Sequence, residues 1–274
     1  MKFYLSMDME GVTALPDYTY VDSKEPNYER GRRLMTGDAN AIIHGAFEGG
    51  AKEFLINDSH SKMNNLLAEE LHEDALLITG GVKNYSMVEG LDPSYDGVFF
   101  GGYHARAGQK GVMAHSMIFA VRTMWINDLE IGELGFNALV AGYHGVPVLL
   151  VAGDDCACKE AEALIPNVVT AAVKESLTRS AVKTLHPKDA QRLLREKTRQ
   201  AIDNRKRVKP LAPPDAPLLR IEFTNYGEAE LAAMMPGCEI EAGTTVVHFQ
   251  AEDILEAYRA MLVMTELAMQ AKFC

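Results

Sequence analysis

Short apolar segments that lead directly into acidic or histidine side chains constrain the fold of this chain most. Three segments share this pattern: residues 3–7 before Asp8, residues 54–57 before His60, and residues 98–101 before His104. Segments that are apolar on both sides are typical of strands buried in a parallel sheet. Helix-like segments separate them, as in the stretch 28–47. We therefore predict an α/β fold with a mostly parallel sheet flanked by helices and a smaller α+β portion.

Further elements are predicted from periodicity and from glycine, proline and capping residues. Residues 146–152 are predicted to form a fourth strand, followed by a helix at 157–164 with Asp155 as its N-cap. A tight polar turn at Asn127-Asp128 predicts a hairpin over 124–131. The other predictions are helices at 133–140, 188–204, 229–234 and 252–269, and strands at 218–223 and 245–249.

A proline-rich stretch at 209–217 is the best candidate for a domain boundary, because four of its nine residues are proline. We predict an α/β metal-binding domain over 1–208 and a smaller α+β C-terminal portion over 209–274. The two portions can also form one integrated unit.

Two carboxylates and two histidines follow predicted parallel strands, and a third carboxylate opens a predicted helix. The residues are Asp8, Glu10, His60, His104 and Glu133. In open α/β sheets, ligands bind just beyond the carboxyl ends of the strands, so we expect these side chains to converge. Imidazole and carboxylate together suit zinc and similar divalent ions. The pattern therefore predicts a metal site at this edge of the sheet.

His115 has two interpretations, because it lies in the otherwise apolar segment 112–117. It is either a core histidine satisfied by one hydrogen bond, or an acid–base or charge-stabilising group beside the metals. Asp154 and Asp155 are reserve metal ligands at the end of a strand, although helix capping is the favoured role for such a pair.

Charge and composition exclude several classes of function. The formal net charge is −11, whereas a nucleic-acid partner requires a basic surface. The N-terminal segment is too short and too soon acidic for a signal peptide, and no apolar stretch approaches the length of a membrane span. The four cysteines, Cys156, Cys158, Cys238 and Cys274, are too few for a disulfide scaffold and are expected to be reduced. We expect a cytoplasmic protein with neither a nucleic-acid nor a membrane partner.

Four motifs resemble those of the zinc-dependent D-aminopeptidase family, typified by the DppA protein of a bacterial dipeptide-permease operon. They are Ser6-Met-Asp-Met-Glu-Gly11, Asn57-Asp-Ser-His-Ser-Lys-Met-Asn-Asn65, Gly102-Tyr-His-Ala105 and Ala114-His-Ser-Met117. The likeness runs along the whole chain, through Asn225-Tyr-Gly227 to the closing helix.

The resemblance implies two Zn²⁺ ions per subunit and a catalytic role for His115. It implies that Asp8 bridges both ions, that Glu10 and His104 bind one, and that His60 and Glu133 bind the other. It further implies a ring-shaped homodecamer that hydrolyses short peptides beginning with a D-residue such as D-alanine. Such sites activate a shared water between two metals.

Two alternatives stay open from the residues alone. A two-metal phosphoesterase uses similar ligands, and Lys62 and Arg106 could bind its phosphate. A non-catalytic peptide-binding component of transport would need secretion to the transport face.

Overall fold

Two β-sheets and six α-helices make up residues 1–271, the part of the chain that the computed structural model describes. Cys274 lies outside the described residues, whereas Cys156, Cys158 and Cys238 are free thiols. Within the described part of the chain, no helix has the length and apolar character needed to cross a membrane.

The chain contains twelve strands and six α-helices within the described residues. The strands are β1 (Lys2–Met7), β2 (Glu53–Asp58), β3 (Ala75–Ile78), β4 (Gly97–Tyr103), β5 (Val121–Ile126), β6 (Leu129–Ile131), β7 (Val148–Asp154), β8 (Val169–Thr178), β9 (Ala181–Thr184), β10 (Leu218–Phe223), β11 (Cys238–Ile240) and β12 (Val246–Gln250). The helices are α1 (Tyr28–Glu48), α2 (Glu133–Tyr143), α3 (Asp155–Leu164), α4 (Pro187–Asn204), α5 (Tyr226–Ala232) and α6 (Ile254–Ala268).

The first sheet has seven strands in the order β3-β2-β1-β4-β7-β8-β9. Its pairings are parallel except that between β8 and β9. All residues of β4 and β7 are buried, as expected for central parallel strands. Strand β1 lies between β2 and β4, and Met7 at its end pairs with Asp58 and Gly101. The carboxyl ends of these three strands therefore lie side by side.

The second sheet is antiparallel, with the order β11-β12-β10-β5-β6. The predicted hairpin supplies β5 and β6, and residues after the proline-rich stretch supply the other three strands. The predicted boundary at residue 209 therefore falls between segments whose strands pair with each other, and the division into two portions stays a prediction.

Helices cover the parallel sheet and connect it to the second sheet. α1 packs against α4 and contacts β4, while α4 contacts β7 and β8. α2 contacts both β4 and α6, and α6 also contacts β10 and β12. The helix pair α2–α6 thus links the two sheets beside the carboxyl end of β4.

The predicted fold class is confirmed, and the predicted strands and helices are present with shifted ends. One capping prediction is wrong: Asp154, not Asp155, caps α3, because its Oδ1 accepts from the amides of Cys156 and Ala157. The helix predicted at 229–234 begins three residues earlier, at Tyr226, where Asn225 and Glu228 form a capping box. Strands β3, β8, β9 and β11 were not predicted from the sequence.

Candidate metal centre

Five buried acidic and histidine side chains meet beyond the ends of β1, β2 and β4. Asp8 and Glu10 follow β1, His60 follows β2, and His104 comes directly after β4. Glu133 reaches the same place as the first residue of α2, after the β5–β6 hairpin. Each of the five is at most 7% exposed. The structure therefore brings together all five residues that the sequence predicts as metal ligands.

Asp8 occupies the middle of the cluster. Its Oδ1 lies 3.4 Å from His60 Nδ1, and its Oδ2 lies 3.5 Å from His104 Nε2. His60 Nδ1 is also 3.0 Å from Glu10 Oε2, and His104 Nε2 is 3.4 Å from Glu133 Oε2. The two oxygens of Asp8 thus face two different imidazoles, which is the position that a bridging carboxylate requires.

Backbone carbonyls fix the orientation of both imidazoles. His60 Nε2 lies 2.9 Å from the Val21 carbonyl oxygen, and His104 Nδ1 lies 2.9 Å from that of Ala105. A carbonyl oxygen can only accept, so the ring nitrogen beside it carries the proton. In the neutral ring, the other nitrogen then directs a lone pair at the carboxylates, as in a metal-ligating histidine.

The donor atoms at the centre of the cluster fit a bound cation. Asp8 Oδ2, Glu10 Oε2 and His104 Nε2 are buried and have no hydrogen-bond partner in the described part of the chain. Burial raises the pKa of Asp8 to about 7, and the neighbouring Glu10 carboxylate adds to the rise. Buried polar atoms are costly unless they are paired or coordinate a metal. Three carboxylates and two imidazoles are a donor set that suits zinc.

Two buried side chains, Lys174 and Asp38, hold the turn that carries Glu10. Lys174 Nζ on β8 donates to the carbonyl oxygens of Glu10, Val12 and Leu15 at 2.5, 2.8 and 2.7 Å. Asp38 Oδ2 on α1 accepts from the amide and hydroxyl of Thr13 at 2.9 and 2.8 Å. These contacts fix the backbone of residues 10–15 relative to the parallel sheet.

His115 lies against the same cluster, with its ring stacked on that of His104 at 4.3 Å between centroids. Its Nδ1 is 2.9 Å from the Met113 carbonyl oxygen, and its Nε2 is 4.0 Å from Glu10 Oε1 and 3.8 Å from Glu133 Oε1. Burial lowers the pKa of His115, and the adjacent His104 lowers it further. His115 therefore lies beside the cluster of predicted ligands and not in the apolar core.

Arg179 holds the loop that carries His115. The Met113 amide donates to the Arg179 carbonyl oxygen at 2.8 Å, and Arg179 Nη1 donates to the Ala114 carbonyl oxygen at 2.8 Å. Arg179 Nη2 also donates to the hydroxyl of Tyr18 at 3.3 Å. The loop is thus tied to the turn between β8 and β9.

A cavity of about 680 Å³ opens over the cluster. Aromatic and aliphatic side chains form part of its wall, and sequence reasoning missed them: Tyr18, Met117, Ile118, Phe119, Leu262 and Met269. Leu262 belongs to α6 and Met269 caps its C-terminal end, so these residues reach the site only through tertiary packing. Tyr18 packs edge-on against Phe119 with centroids 4.9 Å apart.

The remaining candidates of the sequence lie in different places. Lys62 lines the cavity, whereas Arg106 forms an ion pair with Glu130 on β6 instead of lining it. Asp154 caps α3, and Asp155 pairs with Lys159 at 2.9 Å. These contacts favour helix capping by Asp154 and an ion pair for Asp155 over metal binding.

Comparison with known proteins gives consistent matches along the whole chain. The M55 peptidase family, described as D-aminopeptidase, matches residues 1–263. A D-aminopeptidase of Bacillus subtilis (strain 168) is 64% identical over 274 residues, which is 100% of both chains. A solved structure described as the zinc-dependent D-aminopeptidase DppA from Bacillus subtilis, a self-compartmentalizing protease, superposes with a TM-score of 0.99 over 100% of both chains at 64% identity.

Proposed function

Since the chain belongs to the M55 peptidase family of D-aminopeptidases, we propose that it is a zinc-dependent aminopeptidase that removes an N-terminal D-residue, such as D-alanine, from short peptides. One observation carries the proposal most directly. Three atoms of the predicted ligands are buried inside one cluster of carboxylates and imidazoles and have no hydrogen-bond partner among residues 1–271. A cation would satisfy all three.

Two zinc ions would be held by Asp8, Glu10, His60, His104 and Glu133. Asp8 would contribute an oxygen to each ion, because its two oxygens face different imidazoles. The resemblance to the D-aminopeptidase family implies that Glu10 pairs with His104 and His60 with Glu133, and we keep that pairing in the proposal. In this structure the closest contacts instead join His60 to Glu10 at 3.0 Å and His104 to Glu133 at 3.4 Å. When bound, two zinc ions would lower the pKa of a water molecule and polarise the carbonyl of the scissile bond.

The cavity offers a small peptide both polar and apolar surfaces. Its volume of about 680 Å³ lies in the range of pockets that enclose small ligands. Asp22 and Glu266, carboxylates of the lining that are not predicted ligands, suit the cationic amine of a substrate, and Phe119 and Leu262 suit an apolar side chain. Recognition of a free amine beside the reacting bond would explain removal of the first residue.

His115 would act on the leaving group or on the developing oxyanion. Its Nδ1 donates to the Met113 carbonyl, so Nε2 is the nitrogen that can exchange a proton inside the site. With Nε2 protonated, it would give a proton to the leaving amine or a hydrogen bond to the oxyanion. We prefer these roles to direct attack by the imidazole, because an activated water supplies the nucleophile.

The test compares D-Ala-D-Ala with L-Ala-L-Ala as substrates of the purified protein, with and without a zinc chelator. We expect cleavage of the D-peptide alone and its loss with chelator. Equal cleavage of both peptides would contradict the D-specificity, and cleavage that survives chelation would contradict the dependence on zinc. Metal-stripped protein that binds the dipeptide while the metal-bound protein cleaves neither peptide would favour a transport component.

Assembly into a ring decamer forms part of the same proposal. The solved relative is described as self-compartmentalizing, which supports an oligomer that encloses its sites. Light scattering should give a native mass near ten times the 30.1 kDa of one chain. A monomeric mass would contradict the assembly and leave the metal centre untouched.

A cytoplasmic location is also proposed. The free thiols of Cys156, Cys158 and Cys238 support it, because reduced cysteines are usual in cytosolic proteins. Cell fractionation should recover the protein with a cytosolic marker enzyme, and recovery from the medium or the envelope would contradict the proposal.

A further inference from the structure

A chain of buried hydroxyl and amide groups lies behind the proposed metal centre. Ser6 Oγ is 2.8 Å from Ser59 Oγ and 2.7 Å from the Tyr103 hydroxyl. Asn137 Nδ2 donates to the Tyr103 hydroxyl at 2.8 Å, and the Tyr258 hydroxyl donates to Asn137 Oδ1 at 2.9 Å. We call these five residues the hydroxyl–amide network. Each of them is at most 4% exposed.

Four members of the network are close neighbours in sequence of four predicted ligands. The neighbours are Ser6 two residues before Asp8, Ser59 directly before His60, Tyr103 directly before His104, and Asn137 one helical turn after Glu133. These pairs lie on four different elements, namely β1, β2 with its following turn, β4 and α2. The network therefore joins the elements that carry the ligands, and it does so at positions close to the ligands in sequence.

The bonds of the network have a fixed direction. Because Asn137 Nδ2 can only donate, the Tyr103 hydroxyl accepts from it and gives its own proton to Ser6 Oγ. Ser6 Oγ in turn donates to the Met87 carbonyl oxygen at 2.8 Å. Asn137 Oδ1 can only accept, so the Tyr258 hydroxyl is its donor. Removing one hydroxyl leaves a buried polar atom unpaired and affects its neighbours in the chain.

Tyr258 connects the hydroxyl–amide network to a distant part of the sequence. It lies on α6, the helix that also places Leu262 and Thr265 on the cavity wall. Tyr258 contributes no ligand atom to the cluster, and within the described part of the chain its hydroxyl is linked to the helix of Glu133 through Asn137.

We propose that the hydroxyl–amide network positions the metal ligands, and that Tyr258 is a positioning residue that sets zinc affinity from α6. The proposal rests on the zinc-dependent function proposed above. Groups bonded directly to metal ligands orient them, and their loss typically lowers metal affinity about 10- to 100-fold. The network acts one step further away, through the backbone of the elements that carry the ligands. A network that only stabilised the fold would instead change the stability of the protein and leave its zinc affinity alone.

Two tyrosine-to-phenylalanine variants separate these roles. Tyr258→Phe removes one hydroxyl from the network. Tyr4→Phe removes a hydroxyl from an equally buried tyrosine on β1, which donates to the Glu89 carbonyl oxygen at 2.9 Å and, more weakly, to that of Met87 at 3.4 Å. Both variants lose a buried hydrogen bond, but only the first is bonded to Asn137.

The measurement is zinc affinity, obtained by competition with a chelating dye, together with the thermal midpoint of the metal-free protein. We expect Tyr258→Phe to bind zinc up to about tenfold more weakly than the native protein, which is the lower end of the range for partners bonded directly to ligands. Tyr4→Phe should bind within about twofold of it, with a similar fall in midpoint for both variants. Ser6→Ala is the second network variant, and its zinc affinity should fall in the same direction.

Three outcomes are distinguishable. Unchanged zinc affinity in Tyr258→Phe would overturn the positioning role of Tyr258, and unchanged affinity in Ser6→Ala as well would overturn that of the whole network. Either result would leave the proposed function intact. An equal loss of affinity in Tyr4→Phe would reduce the effect to general stability and overturn the proposal as well. A native protein that binds no zinc would overturn the proposed function and, with it, the role of the network.

Discussion

Single backbone carbonyls decide how the histidines of the site are used. The carbonyl oxygens of Val21, Ala105 and Met113 each accept a hydrogen bond from a ring N–H. The donors are His60, His104 and His115, respectively. The opposite nitrogen of each ring faces the carboxylates. The same local device therefore serves two predicted ligands and the predicted catalytic residue, and position relative to Asp8 distinguishes them.

Replacing His115 should separate catalysis from metal binding. We expect His115→Ala to lower kcat by at least about 100-fold, because general acid–base groups contribute 10²- to 10⁴-fold, while zinc content stays at the native value. His144→Ala, at the C-terminal end of α2, is the control and should keep native activity. Loss of zinc from the His115 variant would make the residue a ligand instead of a catalytic group.

We expect the buried Asp38 carboxyl to give the protein a pH dependence of stability. Burial raises its pKa from 3.8 to about 6. Between these values, the unfolded chain releases the proton while the folded protein keeps it, so stability falls as pH rises. The loss amounts to about 3 kcal/mol, is complete above the folded pKa, and is absent from Asp38→Asn.

Urea denaturation of both proteins at intervals from pH 4 to pH 7 measures this effect. The unfolding free energy of Asp38→Asn minus that of the native protein should increase as pH rises, and the increase should level off above about pH 6. A difference that is constant with pH would show that folding leaves the pKa of Asp38 unchanged. A native protein that becomes more stable relative to Asp38→Asn as pH rises would show that folding lowers this pKa.

At the scale of elements, the approach of β1 to β4 depends on a residue without a side chain. Gly102 has a φ of +69°, and a Cβ there would lie 2.1 Å from the Asp8 carbonyl oxygen. The left-handed backbone alone penalises other residues. The close approach adds a steric conflict directly beside the predicted bridging ligand.

Gly102→Ala and Gly243→Ala isolate that conflict. Gly243 has a similar φ of +76°, but a Cβ there meets no described atom within 4 Å. We expect Gly243→Ala to cost roughly 1–2 kcal/mol from backbone strain alone. Gly102→Ala should cost about 1–3 kcal/mol more from overpacking and should also weaken zinc binding. Equal losses of unfolding free energy in the two variants would mean that β1 and β4 move apart at Gly102 without a measurable cost in stability.

The elements that sequence patterns predict well are those with uniform burial or clear caps. β1, β4 and β7 are continuous apolar runs, and α1 ends at Gly49-Gly50. β8 was missed because it is half exposed and carries the buried Lys174, whose three carbonyl partners come from a distant turn. Short strands at the sheet edges, such as β3 and β11, have too few residues to show a period.

The predicted ligands could be found because strand ends concentrate them, whereas the rest of the site could not. Phe119 and Leu262 are ordinary apolar residues in sequence, and only tertiary packing, with α6 against α2, β10 and β12, brings them to the same cavity. Ser6 and Asn137 likewise show no signal, because hydroxyl and amide residues are common and their bonding partners are distant in the chain.

At the scale of the whole molecule, the site belongs to both sheets. The parallel sheet supplies Asp8, His60 and His104, and the hairpin of the antiparallel sheet leads into α2 and Glu133. α2 contacts β4 and α6, and α6 contacts β10 and β12, so these two helices connect the two sheets beside the cluster. Metal affinity should therefore report on the packing of the entire chain, since ligands from both sheets must meet.

Titration of the metal-stripped protein with zinc, followed by D-Ala-D-Ala hydrolysis, tests the two-zinc centre most directly. We predict that activity is absent without metal and rises until two zinc ions are bound per chain. Full activity at one zinc per chain would contradict the two-metal site. Hydrolysis without bound zinc would contradict the function proposed for the site as a whole.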